Sequence, residues 1–207
     1  MNNISFVERQ SRAIRLWHWL TVVVTGLLLF TVFAGKFVVN GWHTGQIIDQ
    51  TTRKYGASLT QQQIGETVGA LRSGLWKWHI YFGYALSVLF GFRLLIEAVE
   101  GKLWKSIRNG FRFAPQRGQR KTKFHYLLVK FVYLLVYGLM GTIVGTGLWL
   151  AYYRGSNAVS FEHFHDIKEI HETCFNFLLL FIFIHLVGII RAERGKHKNI
   201  ISGMVHG

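Results

Sequence analysis

The chain contains little cysteine, little proline and few acidic residues. Its 207 residues include one proline and one cysteine, Cys174. A single cysteine excludes an internal disulfide, a Cys-x-x-Cys metal site and a haem attached through a Cys-x-x-Cys-His motif. Cys174 is therefore expected to be an inert packing residue. The scarcity of proline argues against a disordered chain.

Acidic residues are outnumbered by basic ones, ten to 24, so the formal net charge is +14. Half of the residues are nevertheless apolar and the mean hydropathy is positive. An apolar and basic composition is typical of a multi-pass inner-membrane protein whose positive charges lie in loops and tails. A nucleic-acid-binding protein is also basic, but it lacks long charge-poor runs. We therefore expect contact with membrane lipid and no nucleic-acid partner.

Four stretches are long and apolar enough to cross a bilayer. A secretory signal peptide is the alternative for the first one, but its apolar core is too long. The sequence predicts an all-α integral membrane four-helix bundle that forms a single domain over residues 1–207. The predicted spans are about residues 16–39, 75–99, 124–153 and 164–191.

The loop between the first two spans, residues 40–74, is too polar to enter the membrane and is predicted to form an outer segment. Its length leaves room for a short surface helix near Leu59–Leu71. Lysine and arginine concentrate in the N-terminal tail, in the connector between the second and third spans, and in the C-terminal tail. The positive-inside rule therefore predicts that both termini are cytoplasmic.

Six histidines lie within the predicted spans, but His125 and His165 are at helix ends and, like His163, are expected to be ordinary surface residues. The other four are the candidate functional histidines. His171 and His185 are separated by fourteen residues, which is roughly 21 Å along a helix and close to a whole number of turns. With the predicted topology, His79 and His171 lie near the outer side of the membrane. His18 and His185 lie near the cytoplasmic side. The sequence thus predicts two levels with two histidines each.

Two imidazoles facing each other in a helix bundle, with no carboxylate or thiolate at their level, suit the two axial positions of haem iron. Such ligation leaves no open coordination site, so one-electron transfer is the expected chemistry. Zinc or copper is an alternative, but two nitrogens are too few for a closed tetrahedral zinc site. Histidines that only form hydrogen bonds between helices are the other alternative.

Four further residues lie on the same helix faces as the histidines. Gly83 follows His79 by one turn and Gly26 follows His18 by two, and the absence of a side chain there would admit a flat macrocycle. Arg93 and Arg15 are placed to meet a haem propionate or a bound quinone. These four residues are predicted to form the haem or quinone environment.

The chain resembles the bacterial cytochrome b561 and Ni-Fe hydrogenase cytochrome b subunit family, to which formate dehydrogenase gamma subunits and thiosulfate reductase cytochromes b are related. The resemblance covers nearly the whole chain except residues 40–75. The matching elements are Arg-x-x-His-Trp at Arg15–Trp19, His79 to Gly83 with Arg93, the Thr146-Gly147 pair, His171 with His185, and the closing segment from His197 to Gly207.

The resemblance implies that the four matching histidines ligate two b haems. It also implies an electron-transfer subunit of a membrane-bound oxidoreductase complex, which connects a periplasmic redox partner to the quinone pool. We expect electrons to pass from an iron–sulfur protein, a hydrogenase, a formate dehydrogenase or a cytochrome c to menaquinone or ubiquinone near the cytoplasmic side. The reverse direction is equally allowed.

Two other functions stay open. A stand-alone cytochrome b561 would act as a superoxide:quinone or quinol oxidoreductase without a partner subunit. A non-redox membrane scaffold would use the histidines only to join helices. If the chain is instead a subunit of an oxidoreductase complex, its partner is expected to dock on the outer segment 40–75 and on the acidic residues that open the fourth span. These residues are Glu162, Asp166, Glu169 and Glu172.

Overall fold

The computed structural model describes residues 11–100, 120–155, 158–194 and 204. All regular structure within these ranges is helical, and they contain no strand. A π-helical turn, Ala34–Val38, directly follows the first helix. The prediction of an all-α protein is therefore confirmed. The α-helices are α1 (Arg12–Phe33), α2 (Gly41–Lys54), α3 (Gln61–Glu100), α4 (Arg120–Tyr153) and α5 (Phe161–Arg194).

Four helical segments are long and apolar enough to cross a membrane. Large apolar side chains along them are exposed, for example Leu95, Phe131 and Phe183 at 65, 62 and 66%. Lipid accepts such a surface and water does not. The prediction of a helical membrane protein with four spans is confirmed. The segments are Arg12–Val38, Gln61–Val99, Phe131–Tyr153 and Phe161–Arg194.

The placement of both chain termini in the cytoplasm stays a prediction from the lysine and arginine pattern and from the even number of candidate spans. Seven of the basic residues on which it rests, in the connector 101–119 and in the tail beyond Arg194, lie outside the described residues.

Helix α3 is longer than the sequence pattern indicates. It runs without interruption over 40 residues, which corresponds to about 60 Å and roughly twice the hydrocarbon thickness of a bilayer. The short surface helix expected near Leu59–Leu71 is therefore the beginning of the second span, with no turn between them. Its first part is polar, with Glu66 and Arg72, so this part extends the helix beyond the membrane.

Helix α2 was not expected from the sequence, although its ends carry clear signals. Asn40 caps its N-terminus, where the side-chain oxygen accepts a hydrogen bond from the His43 backbone N–H at 2.8 Å. At the C-terminus, Gly56 adopts a left-handed conformation with φ of 77°. The backbone N–H groups of Gly56 and Ala57 donate to the carbonyls of Arg53 and Thr52, which is the Schellman ending of a helix.

The start of α3 is a capping box. The Gln63 backbone N–H donates to Thr60 Oγ1, and the Thr60 N–H donates to Gln63 Oε1. Helix α2 approaches the start of α3 closely at Gly45, where an added Cβ would lie 3.2 Å from Ile64 Cγ2. Ile64 and Val68 are buried. The outer segment is therefore an ordered pair of helices.

The chain divides into two compact units. Residues 20–87 form the hairpin unit, which contains most of α1, the π turn, α2 and the longer part of α3. Residues 1–19 and 88–207 form the terminal unit, which contains the start of α1, the end of α3, and α4 and α5. Within the terminal unit α4 and α5 pack along each other. The prediction of one domain over the whole chain stays a prediction.

Candidate functional site

His171 lies on α5, in the terminal unit, against the last turns of α4. Its Nδ1 is 2.9 Å from Thr146 Oγ1, and the Thr146 hydroxyl lies 2.6 Å from the carbonyl oxygen of Thr142. Gly147 makes room for the ring, since a Cβ added there would lie 3.1 Å from His171 Cε1. The Thr146-Gly147 pair therefore binds the imidazole and lets it approach the backbone of α4.

His79 has the same kind of neighbour in the hairpin unit. Its Nδ1 is 2.8 Å from Thr31 Oγ1 on α1, and that hydroxyl donates to the Leu28 carbonyl at 2.7 Å. Thr31 is only 2% exposed. The Trp76 ring meets the imidazole edge-on at 5.3 Å between centroids. Each of the two predicted outer ligands is thus held by a threonine from another helix.

His18 and His185 both lie in the terminal unit and come together from α1 and α5, close enough for their ring charges to interact. The Phe181 ring stacks on His185 at 5.7 Å between centroids. The Nδ1 atom of His18 is buried and has no hydrogen-bond partner among the described residues. The structure therefore brings the two predicted inner ligands together.

Arg15 precedes His18 by about one turn of α1. Its Nε and Nη1 atoms are buried and find no hydrogen-bond acceptor in the part of the chain that the structure describes. A buried guanidinium without an anion is costly, and its planar donor fork matches a carboxylate. The residues at this level therefore fit a ligand with an acidic group, as the haem prediction requires of Arg15.

Arg93 lies near the end of α3 in the terminal unit and is largely surrounded by protein. Its guanidinium is 5.6 Å from the ring centroids of both Trp17 and Tyr137. Its Nη1 is 3.5 Å from Glu97 Oε2, and both side chains are largely buried. The Trp17 indole N–H also donates to the Leu89 carbonyl at 2.8 Å. The predicted contact of Arg93 with a propionate or quinone stays a prediction.

Glu97 was not among the residues predicted from the sequence. The available signal was its spacing of four residues from Arg93, which places opposite charges on one helix face. Two aromatic rings around the guanidinium add cation–π attraction where water is scarce. The sequence alone does not show that Trp17 and Tyr137 supply these rings, because they come from different helices.

Replacing Arg93 with methionine is expected to destabilise the protein by about 3–5 kcal/mol, because Glu97 would lose the adjacent cation while keeping its charge. The double variant Arg93→Met/Glu97→Gln, which removes both charges, should recover much of that loss. Thermal unfolding of the detergent-solubilised chain, followed by circular dichroism, measures both effects. A single variant as stable as the parent would contradict this role of the pair.

Gly26 and Gly83 both lie in the hairpin unit. A Cβ added to either one would meet no atom within 4 Å, so both glycines border open space. Gly83 lies one helical turn from His79. This space is compatible with a flat ligand, and the roles of Gly26 and Gly83 stay predictions.

The donor set fits haem better than a bare metal ion. Within residues 11–100, 120–155, 158–194 and 204, no group of three or more His, Cys, Asp or Glu side chains is placed to hold a metal. A structural zinc site needs four ligands. Haem iron needs only two from the protein, because the macrocycle supplies the other four.

The remaining histidines show no such arrangement where they are described. His163 meets the Trp149 ring edge-on at 5.4 Å, and His165 Nδ1 lies 3.6 Å from Glu169 Oε1. Both histidines are exposed, as expected for surface residues. Cys174 is a free thiol of intermediate exposure. The closing segment from His197, which carries part of the resemblance, lies outside the described residues except for Met204.

The acidic residues predicted to form part of a docking surface lie in the first turns of α5. All four are exposed, and Glu172 pairs with Lys168 at 3.4 Å. Ion pairs this exposed contribute little to stability. The charges are therefore available to a partner without loss of fold.

A comparison with protein families gives a match over nearly the whole chain. The model of the family described as prokaryotic cytochrome b561 matches residues 9–207. Neither the search of curated proteins nor the search of solved structures found a match. The matched region includes all four candidate membrane spans and the four candidate ligand histidines. The chain belongs to the prokaryotic cytochrome b561 family and is a multi-pass membrane protein that transfers electrons by means of b-type haem.

Proposed function

We propose that this cytochrome binds two b haems, one ligated by His79 and His171 and the other by His18 and His185. It conducts electrons between a redox partner on the periplasmic side of the bacterial inner membrane and the quinone pool. The observation that carries this proposal is that His18 and His185 lie in one unit within electrostatic range of each other, while buried nitrogens of Arg15 find no partner among the described residues.

The proposal of an inner haem is supported by buried polar atoms that have no hydrogen-bond partner among the described residues. A buried polar atom without a hydrogen bond costs about 1–3 kcal/mol, and more when it is charged. His18 Nδ1 and the Nε and Nη1 atoms of Arg15 all carry this cost. A bound haem would offset the part carried by Arg15, because a propionate accepts hydrogen bonds from a guanidinium.

The outer level is supported by the threonines. His79 and His171 lie in different units, and each has its Nδ1 on a threonine hydroxyl within its own unit. A ligand histidine characteristically uses its second nitrogen in this way, because that bond fixes the orientation of the ring. The pairing of these two histidines on one iron rests on their equal predicted depth.

Bound haem supplies a one-electron iron couple. The chain supplies four imidazoles, Arg15 at the predicted cytoplasmic level and an apolar surface that keeps the spans in lipid. Menaquinone or ubiquinone would bind near His185 and Arg15, where protons from the cytoplasm are available. On the opposite side, α2, the polar start of α3 and the exposed acids of α5 offer surface to a partner such as an iron–sulfur protein, a hydrogenase or a cytochrome c.

The haem assignment is tested by a dithionite-reduced minus oxidised absorbance spectrum of the detergent-purified chain, with quantification of the pyridine haemochrome. We expect two b haems per chain, because four histidines provide two axial pairs. One haem per chain would contradict the pairing of all four histidines. No haem in folded, haem-supplied protein would contradict both levels.

The role of a partner subunit needs a separate experiment. A tagged chain, solubilised mildly from its native membrane, is expected to copurify with a periplasmic redox subunit and to reduce quinone only in that complex. If the isolated chain passed electrons from superoxide to quinone without a partner, the stand-alone oxidoreductase would be the correct function instead.

A further inference from the structure

The two predicted outer ligands share a hydrogen-bond arrangement that the inner ligand His18 lacks. In each case a threonine on a neighbouring helix contacts the histidine Nδ1, at 2.8 Å for Thr31 with His79 and at 2.9 Å for Thr146 with His171. The Nδ1 of His18 has no such partner within the described ranges. His79 and His171 therefore differ from His18 in how the protein supports the imidazole.

The direction of these hydrogen bonds follows from the carbonyl groups nearby. The Thr31 hydroxyl is 2.7 Å from the Leu28 carbonyl oxygen, and the Thr146 hydroxyl is 2.6 Å from that of Thr142. A carbonyl oxygen only accepts, so the single hydroxyl proton must lie between the two oxygens. The hydroxyl oxygen is then an acceptor towards the ring, and the histidine Nδ1 must carry a proton that it donates.

This arrangement selects one tautomer for each ring. Neutral imidazole has one N–H and one lone pair, so a proton on Nδ1 leaves the lone pair on Nε2. Nε2 is therefore the nitrogen by which His79 and His171 would ligate a metal.

A hydrogen bond from Nδ1 also changes the electronic character of the ligand. An acceptor on the N–H makes the imidazole more basic. A more basic ligand donates more charge to iron, which favours the ferric form and lowers the reduction potential. Each threonine hydroxyl is itself polarised by the carbonyl to which it donates, which strengthens the effect.

We propose that Thr31 and Thr146 are positioning residues that hold His79 and His171 in the Nε2-ligating tautomer and lower the potential of the outer haem below that of the inner haem. This inference rests on the proposed function. It assigns a direction, because electrons then move downhill from the outer haem to the inner one. The chain would deliver electrons from the periplasmic partner to the quinone.

The test is a redox titration of the purified full-length cytochrome with both haems bound, comparing the parent with Thr146→Val. Valine keeps the shape of threonine and removes the hydroxyl. We expect the midpoint of the lower-potential haem to rise by about 59 mV, which is a tenfold change in the equilibrium for one electron. The higher-potential haem should not move. The electron paramagnetic resonance signal of the same oxidised haem should shift with it.

Thr142→Val is the matched control. Thr142 lies one turn before Thr146 on α4, and its hydroxyl donates to the Gly138 carbonyl, not to a histidine. It should leave both midpoints unchanged. Thr146→Ser, which restores the hydroxyl, should return the midpoint towards the parent. If valine removes the haem completely, retention of that haem in the serine variant supports the role of the hydroxyl, and loss in both overturns it.

Thr31→Val should raise the same midpoint as Thr146→Val, because both threonines act on the outer haem. A shift of the higher-potential haem, a downward shift or unchanged midpoints in both variants would overturn the inference. A failure of the proposed function is recognised separately, because the parent chain would then not bind two haems.

Discussion

Replacing His185 with alanine is expected to remove one of two b haems and to leave the other in place. His185 comes together with His18 in the terminal unit, so His18→Ala should remove the same haem. The reason is that a haem with one axial imidazole loses half of its protein ligation. Pyridine-haemochrome quantification should fall from two haems per chain to one, and the redox titration should show which midpoint is lost.

His79→Ala and His171→Ala should remove the other haem, with its lower midpoint. His163→Ala is the control, because His163 is an exposed residue of α5 whose ring meets the ring of Trp149. It should retain both haems. If His79→Ala and His185→Ala removed the same haem, the predicted depths of the histidines would be wrong.

Gly147→Ala is expected to weaken binding of the haem that His171 ligates. The added Cβ would lie 3.1 Å from His171 Cε1 and 3.7 Å from Nδ1, so the ring must move away from Thr146. Overpacking of this kind costs about 1–3 kcal/mol. Misplacement of a ligand ring also lowers affinity for the metal, typically about 10–100-fold when its support is lost. Haem occupancy, measured on the purified variant, should fall at the outer level only.

Gly145→Ala is a closely matched comparison, since it makes the same change two residues earlier on α4. A Cβ at Gly145 would meet no atom within 4 Å. This variant should keep both haems, and it should gain slight helix stability because alanine favours a helix more than glycine does. Equal haem loss in both variants would show that the flexibility of α4, and not the approach of His171, is responsible.

Ligation of haem by the histidines and control of that ligation by the surrounding protein are separate properties. Alanine at the histidines tests whether they ligate haem. Substitutions at Thr146 and Gly147 test whether the protein controls how His171 ligates it. A chain that lost a haem with the histidine variants but tolerated every change at Thr146 and Gly147 would have ligands without the support that the contacts indicate.

The sequence alone determined the features that depend on local composition. The four spans follow from runs of apolar residues, and their number agrees with the structure. The histidine candidates follow from the rarity of ionisable residues within such runs. The family resemblance follows from motifs such as Arg15 to Trp19 and His171 with His185, and the family model confirms it.

The boundaries of the helices were predicted less well than the number of spans, and the reason lies in the polar residues 60–74. Residues 60–74 are rich in glutamine, threonine and glycine, so they lack the apolar run by which a membrane span is recognised. These residues still form helix, because the Thr60–Gln63 capping box starts it and none of them stops it. The helix α3 therefore begins earlier than its apolar stretch. Helix α2 is largely polar, so its capping residues, and not an apolar run, mark it in the sequence.

Only the tertiary structure decided which side chains meet. The hydropathy of a helix gives its depth but not its rotation or axial shift against a neighbour, and hydrogen bonds depend on both. For this reason the threonine partners of His79 and His171, the close approach of Gly147, and the rings around Arg93 could not be read from spacing. The sequence placed the histidines in apolar spans, and the packing of the helices decided which of their nitrogens contact threonine hydroxyls.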